Sequence, residues 1–221
     1  MKKEKSHFAL EGDTLVMDIV LQALSPKYAK ANYLVLDNFL TREELDSLWR
    51  YTLSKEEELQ PSKVYKAAVG KGEVDTTRRR SKVLTAPGDF QGLFEARVRA
   101  VLPQVVTHLG IRSFSVDHID AQITATGNGE FFKAHTDNGH TPQKKRRISY
   151  VFYYYREPKP FTGGELRIYE PDSQKKYKKI TPLQNTVVFF DSGALHEVMP
   201  VRSSSDIFQD SRFTLNGWIY K

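Results

Sequence analysis

The sequence contains no cysteine. Disulfide bonds and thiolate metal sites are therefore excluded, and any bound metal must use nitrogen and oxygen ligands. No segment approaches the roughly 18 consecutive apolar residues of a membrane span. Acidic residues also interrupt the N-terminal segment where the apolar stretch of a signal peptide would lie. These absences predict a cytoplasmic protein with no membrane partner.

The charge of the chain is only mildly unbalanced, at +6 from 33 basic and 27 acidic residues. This excess permits a nucleic-acid partner without requiring one. The basic runs Arg78–Arg80, Lys144–Arg147 and Lys175–Lys179 are spread along the chain, as is typical of a solvated surface. With 221 residues, of which 39% are hydrophobic, the chain is long enough for a sizeable core. We therefore expect a folded globular protein for which nucleic acid is not the partner.

The first half of the chain has helical patterns. Apolar residues between positions 15 and 24 keep helical spacing, which predicts a short amphipathic helix. Thr41, with Glu44 three residues later, forms the signature of a capping box at the start of a helix. A second helix is predicted over Pro87–Leu109, and Gly110 would end it. Residues 1–110 are thus interpreted as a support region of helices and short strands.

From residue 111 the pattern changes to seven or eight short strands. They are rich in β-branched and aromatic residues and are separated by Gly, Asn, Asp and Pro turn signals. This spacing favours a sandwich or jelly roll. The predicted fold class is α+β and mostly β, with residues 111–221 as the core and the N-terminal helices packed on one sheet. Both parts would form a single domain.

A motif for metal binding lies at His135-Thr136-Asp137. Residues i and i+2 of a strand point to the same face, so His135 and Asp137 can reach one metal ion. His196, 61 residues later, is the candidate third ligand. Two histidines and one carboxylate form the facial triad of non-haem Fe(II) oxygenases. A competing motif, His118-Ile119-Asp120, also lies in a predicted strand.

Arg212 lies in the last predicted strand, after His196. A buried arginine needs an anion, and its planar guanidinium suits a carboxylate with two hydrogen bonds. A dicarboxylate co-substrate would satisfy this need. An ion pair with an Asp or Glu of the chain would satisfy it equally.

Four motifs together resemble the Fe(II)/2-oxoglutarate-dependent dioxygenases, in the order of that family and closest to its prolyl 4-hydroxylase-like branch. They are HTD at His135–Asp137, GGEL at Gly163–Leu166, HEVMP at His196–Pro200 and RFT with a later Trp at Arg212–Trp218. The strand and helix pattern YLVLDNFLTREELDSL is similar to the N-terminal part of the same family. Two features depart from the family: Thr126 stands where many relatives have a tyrosine, and Arg212 follows His196 by 16 residues.

The resemblance implies a double-stranded β-helix with Fe(2+), 2-oxoglutarate as co-substrate and O2, and ascorbate is compatible with it. It implies a catalytic set of three iron ligands and one anchor for the distal carboxylate of 2-oxoglutarate: His135, Asp137, His196 and Arg212. Matching the strand RRISYVFYYY to the family places Tyr153 on the same carboxylate. Thr214 shares the face of Arg212 by the two-residue period and could add a hydroxyl group.

The implied reaction is hydroxylation of a substrate C–H bond, and a prolyl residue of a protein or peptide is the predicted substrate. Two alternatives stay open at this point: a free amino acid or small metabolite as substrate, and a non-catalytic β-helix binding module. Repair of alkylated nucleic acid has only the dispersed basic runs in its favour. The glycine- and charge-rich segment Lys63–Arg80 is typical of a cover over an active site.

Overall fold

A computed structural model describes residues 33–66, 70–139, 143–171 and 173–221 of the protein. In this part of the chain there are two α-helices, α1 (Arg42–Ser54) and α2 (Phe90–Leu109). The helix predicted between residues 15 and 24 lies outside the described residues.

The strands are short and most of them follow α2. Six strands precede that helix: β1 (Tyr33–Asp37), β2 (Gln60–Pro61), β3 (Val64–Lys66), β4 (Lys71–Glu73), β5 (Arg79–Arg80) and β6 (Lys82–Leu84). Ten strands follow it: β7 (Gln122–Thr126), β8 (Phe131–His135), β9 (Arg146–Tyr154), β10 (Phe161–Gly163), β11 (Leu166–Glu170), β12 (Ser173–Ile180), β13 (Thr186–Asp191), β14 (His196–Val198), β15 (Val201–Ser203) and β16 (Arg212–Tyr220).

Two antiparallel sheets form the body of the protein. The larger has the strand order β1-β13-β9-β16-β7-β6-β2, and the smaller has the order β12-β11-β14-β8-β5. The predicted double-stranded β-helix, or jelly roll, is confirmed. Strands from before residue 111 extend both sheets, since β1, β2 and β6 join the larger and β5 joins the smaller. The division of the chain at residues 110 and 111 stays a prediction.

The predicted start of α1 and the predicted end of α2 are confirmed, whereas α2 begins at Phe90 and not at the predicted Pro87, and Asp89 forms no side-chain cap there. Thr41 accepts a hydrogen bond from the amide of Glu44, and the Glu44 carboxylate accepts one from the amide of Thr41, which completes the capping box. Helix α2 runs through Pro103 and ends at Gly110, which has the left-handed φ of 64°.

The larger sheet separates the main core from the site. Its outer face packs against both helices, and this core includes Leu48, Phe94, Val98, Tyr150 and Phe152. Alternation along β9 turns Tyr150, Phe152 and Tyr154 into this core and leaves Ser149, Val151 and Tyr153 for the opposite face. The inner face packs against residues of the smaller sheet. The helices lie on the outer face of the larger sheet, so they pack on one sheet as predicted.

The segments before β7 and before β16 can be compared with the strands predicted from the sequence. The strand expected from Ser113 is regular only from Gln122. Before it, Asp117, His118 and Asp120 form single backbone hydrogen bonds with β16, and the Asp120 carboxylate accepts the Trp218 amide. The insertion before Arg212 behaves as expected: residues 204–211 form a connection with one 3₁₀ turn, and β16 pairs with β7 and β9 directly afterwards.

Candidate functional site

Strands β8 and β14 bring the two candidate metal-binding histidines together. The two strands are neighbours in the smaller sheet, and His135 is paired directly with His196. Asp137, two residues after His135, lies between the imidazoles. Its Oδ1 is 3.6 Å from His135 Nε2 and its Oδ2 is 3.6 Å from His196 Nε2.

Backbone carbonyl groups orient both imidazole rings. His135 Nδ1 donates to the carbonyl of Lys133, and His196 Nδ1 donates to that of Ala194, each at 2.8 Å. Because Nδ1 carries the proton in both rings, each Nε2 has a free lone pair directed toward Asp137. Such hydrogen bonds fix the tautomer and orientation of metal-binding histidines.

The carboxylate of Asp137 is held from the larger sheet. Ser149 Oγ donates to Asp137 Oδ2 at 2.6 Å, and Ser149 Oγ also lies 2.9 Å from Ser192 Oγ. Burial disfavours the ionised form, but the two imidazoles and the Ser149 hydroxyl outweigh it and hold the pKa of this carboxyl well below its usual range. Burial and repulsion from His135 lower the pKa of His196 to about 4, so its ring is neutral at pH 7.

The donor set fits a divalent metal of the iron type. One ligand atom from each of His135, Asp137 and His196 lies within 4.8 Å of the others. Two imidazole nitrogens and one carboxylate oxygen on one side of a site form the ligand set of non-haem Fe(II) centres with open positions. Among the described residues, these three form the group of His, Asp or Glu side chains that lie close enough together to share a metal ion.

Arg212 lies in the same cavity and is buried, at 2% exposure. Its guanidinium is 4.9 Å from the centre of the Tyr153 ring. Within the described part of the chain no carboxylate forms an ion pair with Arg212, and Arg212 Nε and the Tyr153 hydroxyl have no hydrogen-bond partner. The ion pair considered from the sequence is therefore absent there, and the cation is open to an anion from outside the chain.

Glycine lines the opposite side of Arg212. Gly164 has the left-handed φ of +66°, and a Cβ at this position would lie 2.6 Å from Arg212 Cδ and 3.0 Å from Val201 Cγ2. Only a residue without a side chain leaves the arginine its space. The GGEL motif of the sequence therefore has a packing function beside the anchor.

A scan against protein families matches residues 121–220 to the model described as the 2OG-Fe(II) oxygenase superfamily. This match covers the strands that carry the triad and Arg212. In this region the chain is therefore similar to members of the 2OG-Fe(II) oxygenase superfamily. An uncharacterized PKHD-type hydroxylase of Synechocystis sp. is 34% identical over 203 residues, which are 88% of this chain and 65% of that protein. The chain thus spans about 65% of the length of this curated relative.

Solved structures share the fold. A prolyl-4-hydroxylase of Pseudomonas putida has a TM-score of 0.65 and 19% identity, covering 93% of this chain and 98% of its own. A prolyl hydroxylase of Trichoplax adhaerens, solved with a peptide fragment of a hypoxia inducible factor, has a TM-score of 0.63 and 17% identity, covering 96% and 91%. The fold is therefore similar to that of these two prolyl hydroxylases.

The other residues expected at this candidate site lie nearby. Thr214 is paired with Tyr153 across β16 and β9 and lines the cavity with Arg212. Its hydroxyl donates to Asn216 Oδ1 at 3.3 Å, and the same oxygen accepts a stronger bond from Thr124 at 2.9 Å. The Thr214 hydroxyl therefore keeps only a weak bond to the protein and has a second role available.

The competing motif at His118 and Asp120 does not join the candidate metal site. His118 is exposed, stacks on Tyr220 and lies 3.2 Å from Asp117. Asp120 accepts hydrogen bonds from the amide of Trp218 at 2.7 Å and from the hydroxyl of Tyr220 at 2.9 Å. Its carboxylate therefore serves to hold the end of β16.

Arg79 corrects the expectation that the run Arg78–Arg80 is solvated. Arg79 is partly buried, lies 4.7 Å from the centre of the Phe132 ring and lines the cavity that contains the triad. Phe132 in turn stacks on His135, with ring centres 3.5 Å apart. The sequence did not single out Ser149 as a site residue, because its partner Asp137 follows a different strand, β8. The two-residue alternation of β9 could have indicated it, because it places Ser149 on the face opposite to the core residues.

A wider cleft leads from the triad to the surface. It is lined by the β3–β4 hairpin and by residues of the larger sheet, among them Gln122 and Trp218. The predicted cover Lys63–Arg80 thus contributes described residues to this cleft. None of the described helices is long and apolar enough to cross a membrane.

Proposed function

We propose that this protein is an Fe(II)- and 2-oxoglutarate-dependent dioxygenase that hydroxylates a C–H bond, with a prolyl residue of a protein or peptide as substrate. One observation carries the proposal. A preoriented group of two imidazoles and one carboxylate shares a cavity with a buried arginine that has no counter-ion among the described residues. A metal and a dicarboxylate would satisfy both at once.

In this proposal His135 and His196 hold iron through Nε2, and Asp137 holds it through its carboxylate. Ser149 keeps the carboxylate in place, and the Nδ1 hydrogen bonds keep the rings in the ligating tautomer. The bound iron and 2-oxoglutarate would supply the chemistry of the reaction, in which O2 hydroxylates the substrate and 2-oxoglutarate leaves as succinate and CO2. Ascorbate is proposed as the reductant that keeps the metal ferrous.

Arg212 would bind the distal carboxylate of 2-oxoglutarate with its guanidinium fork. Tyr153 would donate its hydroxyl to the same carboxylate, since burial raises the pKa of Tyr153 and keeps the proton on the oxygen. Thr214, whose bond to Asn216 is long, would add a further hydroxyl group. Charge-assisted hydrogen bonds are the strong ones, so Arg212 would dominate the affinity.

The walls of the inner cavity would exclude water during the reaction. Apolar side chains from both sheets surround the candidate ligands: Phe131, Leu166, Val151, Phe190 and Val198. A dry site strengthens the electrostatic interactions within it and protects reactive species from side reactions. The open cleft above the triad leaves room for an extended substrate.

The choice of a prolyl substrate is supported by the similarity of the fold to prolyl hydroxylases, one of them solved with a peptide. Specificity in this proposal lies in the cleft between the β3–β4 hairpin and the triad. The cytoplasmic location stays a prediction.

The test is turnover of 2-oxoglutarate by the metal-loaded protein, measured as succinate, with mass spectrometry for +16 Da products among peptides and free amino acids. We expect succinate formation that rises with a prolyl peptide and with ascorbate. Asp137→Ala should lose it, and Asp120→Ala serves as the matched control. Stimulation by a free amino acid alone would assign the metabolite alternative. No succinate under any condition would refute the dioxygenase and favour the binding module.

A further inference from the structure

Arg79 is an arginine at the border of the inner cavity and the outer cleft, and the proposed reaction does not use it. It lines both spaces together with His135 and Asp137. Its position is well fixed, because Nε donates to Ser81 Oγ at 2.9 Å and Ser81 Oγ donates to Ser62 Oγ at 2.8 Å. Its guanidinium carbon lies over the ring of Phe132, 4.7 Å from the ring centre.

The terminal nitrogens of Arg79 have no carboxylate partner within 4.0 Å in the described ranges 33–66, 70–139, 143–171 and 173–221. Burial lowers the pKa of Arg79 to about 10, which leaves the guanidinium charged at neutral pH. Asp137 is near enough to favour this charge, but it faces the two histidines as a candidate metal ligand. Arg79 therefore has its Nε bound and its outer edge open.

The outer cleft around Arg79 is electropositive. Its described lining contains four cations, Lys63, Arg78, Arg79 and Arg146, and the candidate ligand Asp137 as the carboxylate. Arg146 is already engaged, since it lies 3.5 Å from the centre of the Trp218 ring and donates to the Tyr220 hydroxyl. Arg78 is exposed. Arg79 is thus the preoriented cation beside the metal site.

We propose that Arg79 binds a carboxylate of the substrate and so selects substrates with an acidic group close to the hydroxylated carbon. This inference rests on the proposed function and names the substrate class of the same site. A guanidinium whose Nε is already bonded can still donate two parallel hydrogen bonds from its terminal nitrogens to a carboxylate. Two sources offer this group: an acidic side chain flanking the target residue of a peptide, or the α-carboxylate of a free amino acid.

The experiment measures binding, so it does not depend on turnover. Isothermal titration calorimetry without O2 uses protein loaded with Mn(2+) and 2-oxoglutarate. Two probe pairs differ only in the carboxylate: acetyl-Asp-Pro-Asp-amide against acetyl-Asn-Pro-Asn-amide, and proline against prolinamide. We expect the acidic member of one pair to bind at least about tenfold more tightly than its neutral partner, as one charge-assisted hydrogen bond allows. The pair that shows the preference identifies the source.

Arg79→Gln should remove this preference while the neutral probe binds as before. Arg80→Gln is the matched control, because Arg80 is in the same strand, lies 4.8 Å from the ring of Phe131 and donates to the backbone of Gly129. A purely structural Arg79 would weaken both members of a pair equally. Equal weakening of both members would overturn the proposal. So would a preference retained in Arg79→Gln. So would the absence of a preference in either pair, including binding of no probe.

A third measurement separates the substrate from the co-substrate. The affinity for 2-oxoglutarate, measured in the same way on Mn(2+)-loaded protein, should be unchanged in Arg79→Gln. A weaker affinity there would show that Arg79 binds the co-substrate, and would overturn the assignment to substrate. Absence of succinate formation in the activity assay would refute the proposed reaction without deciding the charge preference.

Discussion

Replacing Arg212 by methionine should have opposite effects on the free and the ligand-bound protein. In the free protein the side chain is 2% exposed and its cation has no counter-ion among the described residues. A buried charge of this kind destabilises a fold, and contact with the Tyr153 ring at 4.9 Å offsets only part of the cost. We expect Arg212→Met to raise the free energy of unfolding of the ligand-free protein by about 1–2 kcal/mol.

The same substitution should remove the stabilisation by 2-oxoglutarate. A loss of two charge-assisted hydrogen bonds of about 1.5 kcal/mol each corresponds to a Kd about 150-fold higher. At a concentration of 100 times the original Kd, the ligand raises the free energy of unfolding by about 2.7 kcal/mol. In the variant this gain should fall to about 0.3 kcal/mol.

Denaturant unfolding of the Mn(2+)-loaded protein, with and without 2-oxoglutarate, measures both effects. Arg202→Met is the control, since Arg202 is exposed and lies in the nearby strand β15. Equal stabilisation of Arg212→Met and the original protein by 2-oxoglutarate would place the anchor elsewhere. A ligand-free Arg212→Met less stable by several kcal/mol would show that the arginine is a structural residue.

Three further predictions concern the metal ligands and the cleft. Asp137→Ala should lose metal binding and turnover, measured by Mn(2+) titration and succinate formation. Asp120→Ala should keep both and lose about 1–3 kcal/mol of stability, because the Trp218 amide loses its partner. Loss of metal binding in Asp120→Ala instead would assign the ligand to the other motif. Ser149→Ala should weaken metal binding about tenfold or more through the freed carboxylate, and an unchanged metal affinity would contradict this positioning role. Amide hydrogen exchange of β3 and β4 should slow when a verified substrate is bound, and equal exchange would count against a cover over the cleft.

The parts of the structure that follow local rules were predictable from the sequence. The capping box at Thr41 depends on residues three positions apart, and the face of Tyr153 follows from the two-residue period of β9. Strand β16 keeps its pairing after the inserted segment because a longer loop costs little and leaves the ladder unchanged.

The remaining features depend on contacts between distant segments. Arg79 and Arg80 both lie in β5, which pairs with β8, but only Arg79, opposite Phe132, lines the cavity. No periodicity in a two-residue strand can indicate this burial. Likewise the carboxylate of Asp120, just before β7, bonds the amide of Trp218, a residue 98 positions later.

Gly164, beside Arg212, restricts the position of the arginine side chain in the site. Since a Cβ at position 164 would collide with the arginine, the backbone there forms a wall directly behind the Arg212 stem, and the guanidinium has no room to retreat. The cost of ordering this side chain is met when the protein folds, so the anchor is preorganised for its ligand. The span between the anchor and the ligand group of His135, Asp137 and His196 is then a fixed length. If 2-oxoglutarate binds as proposed, a dicarboxylate with one carbon fewer or one carbon more would not reach both ends at that length, and the site would select its co-substrate by size as well as by charge.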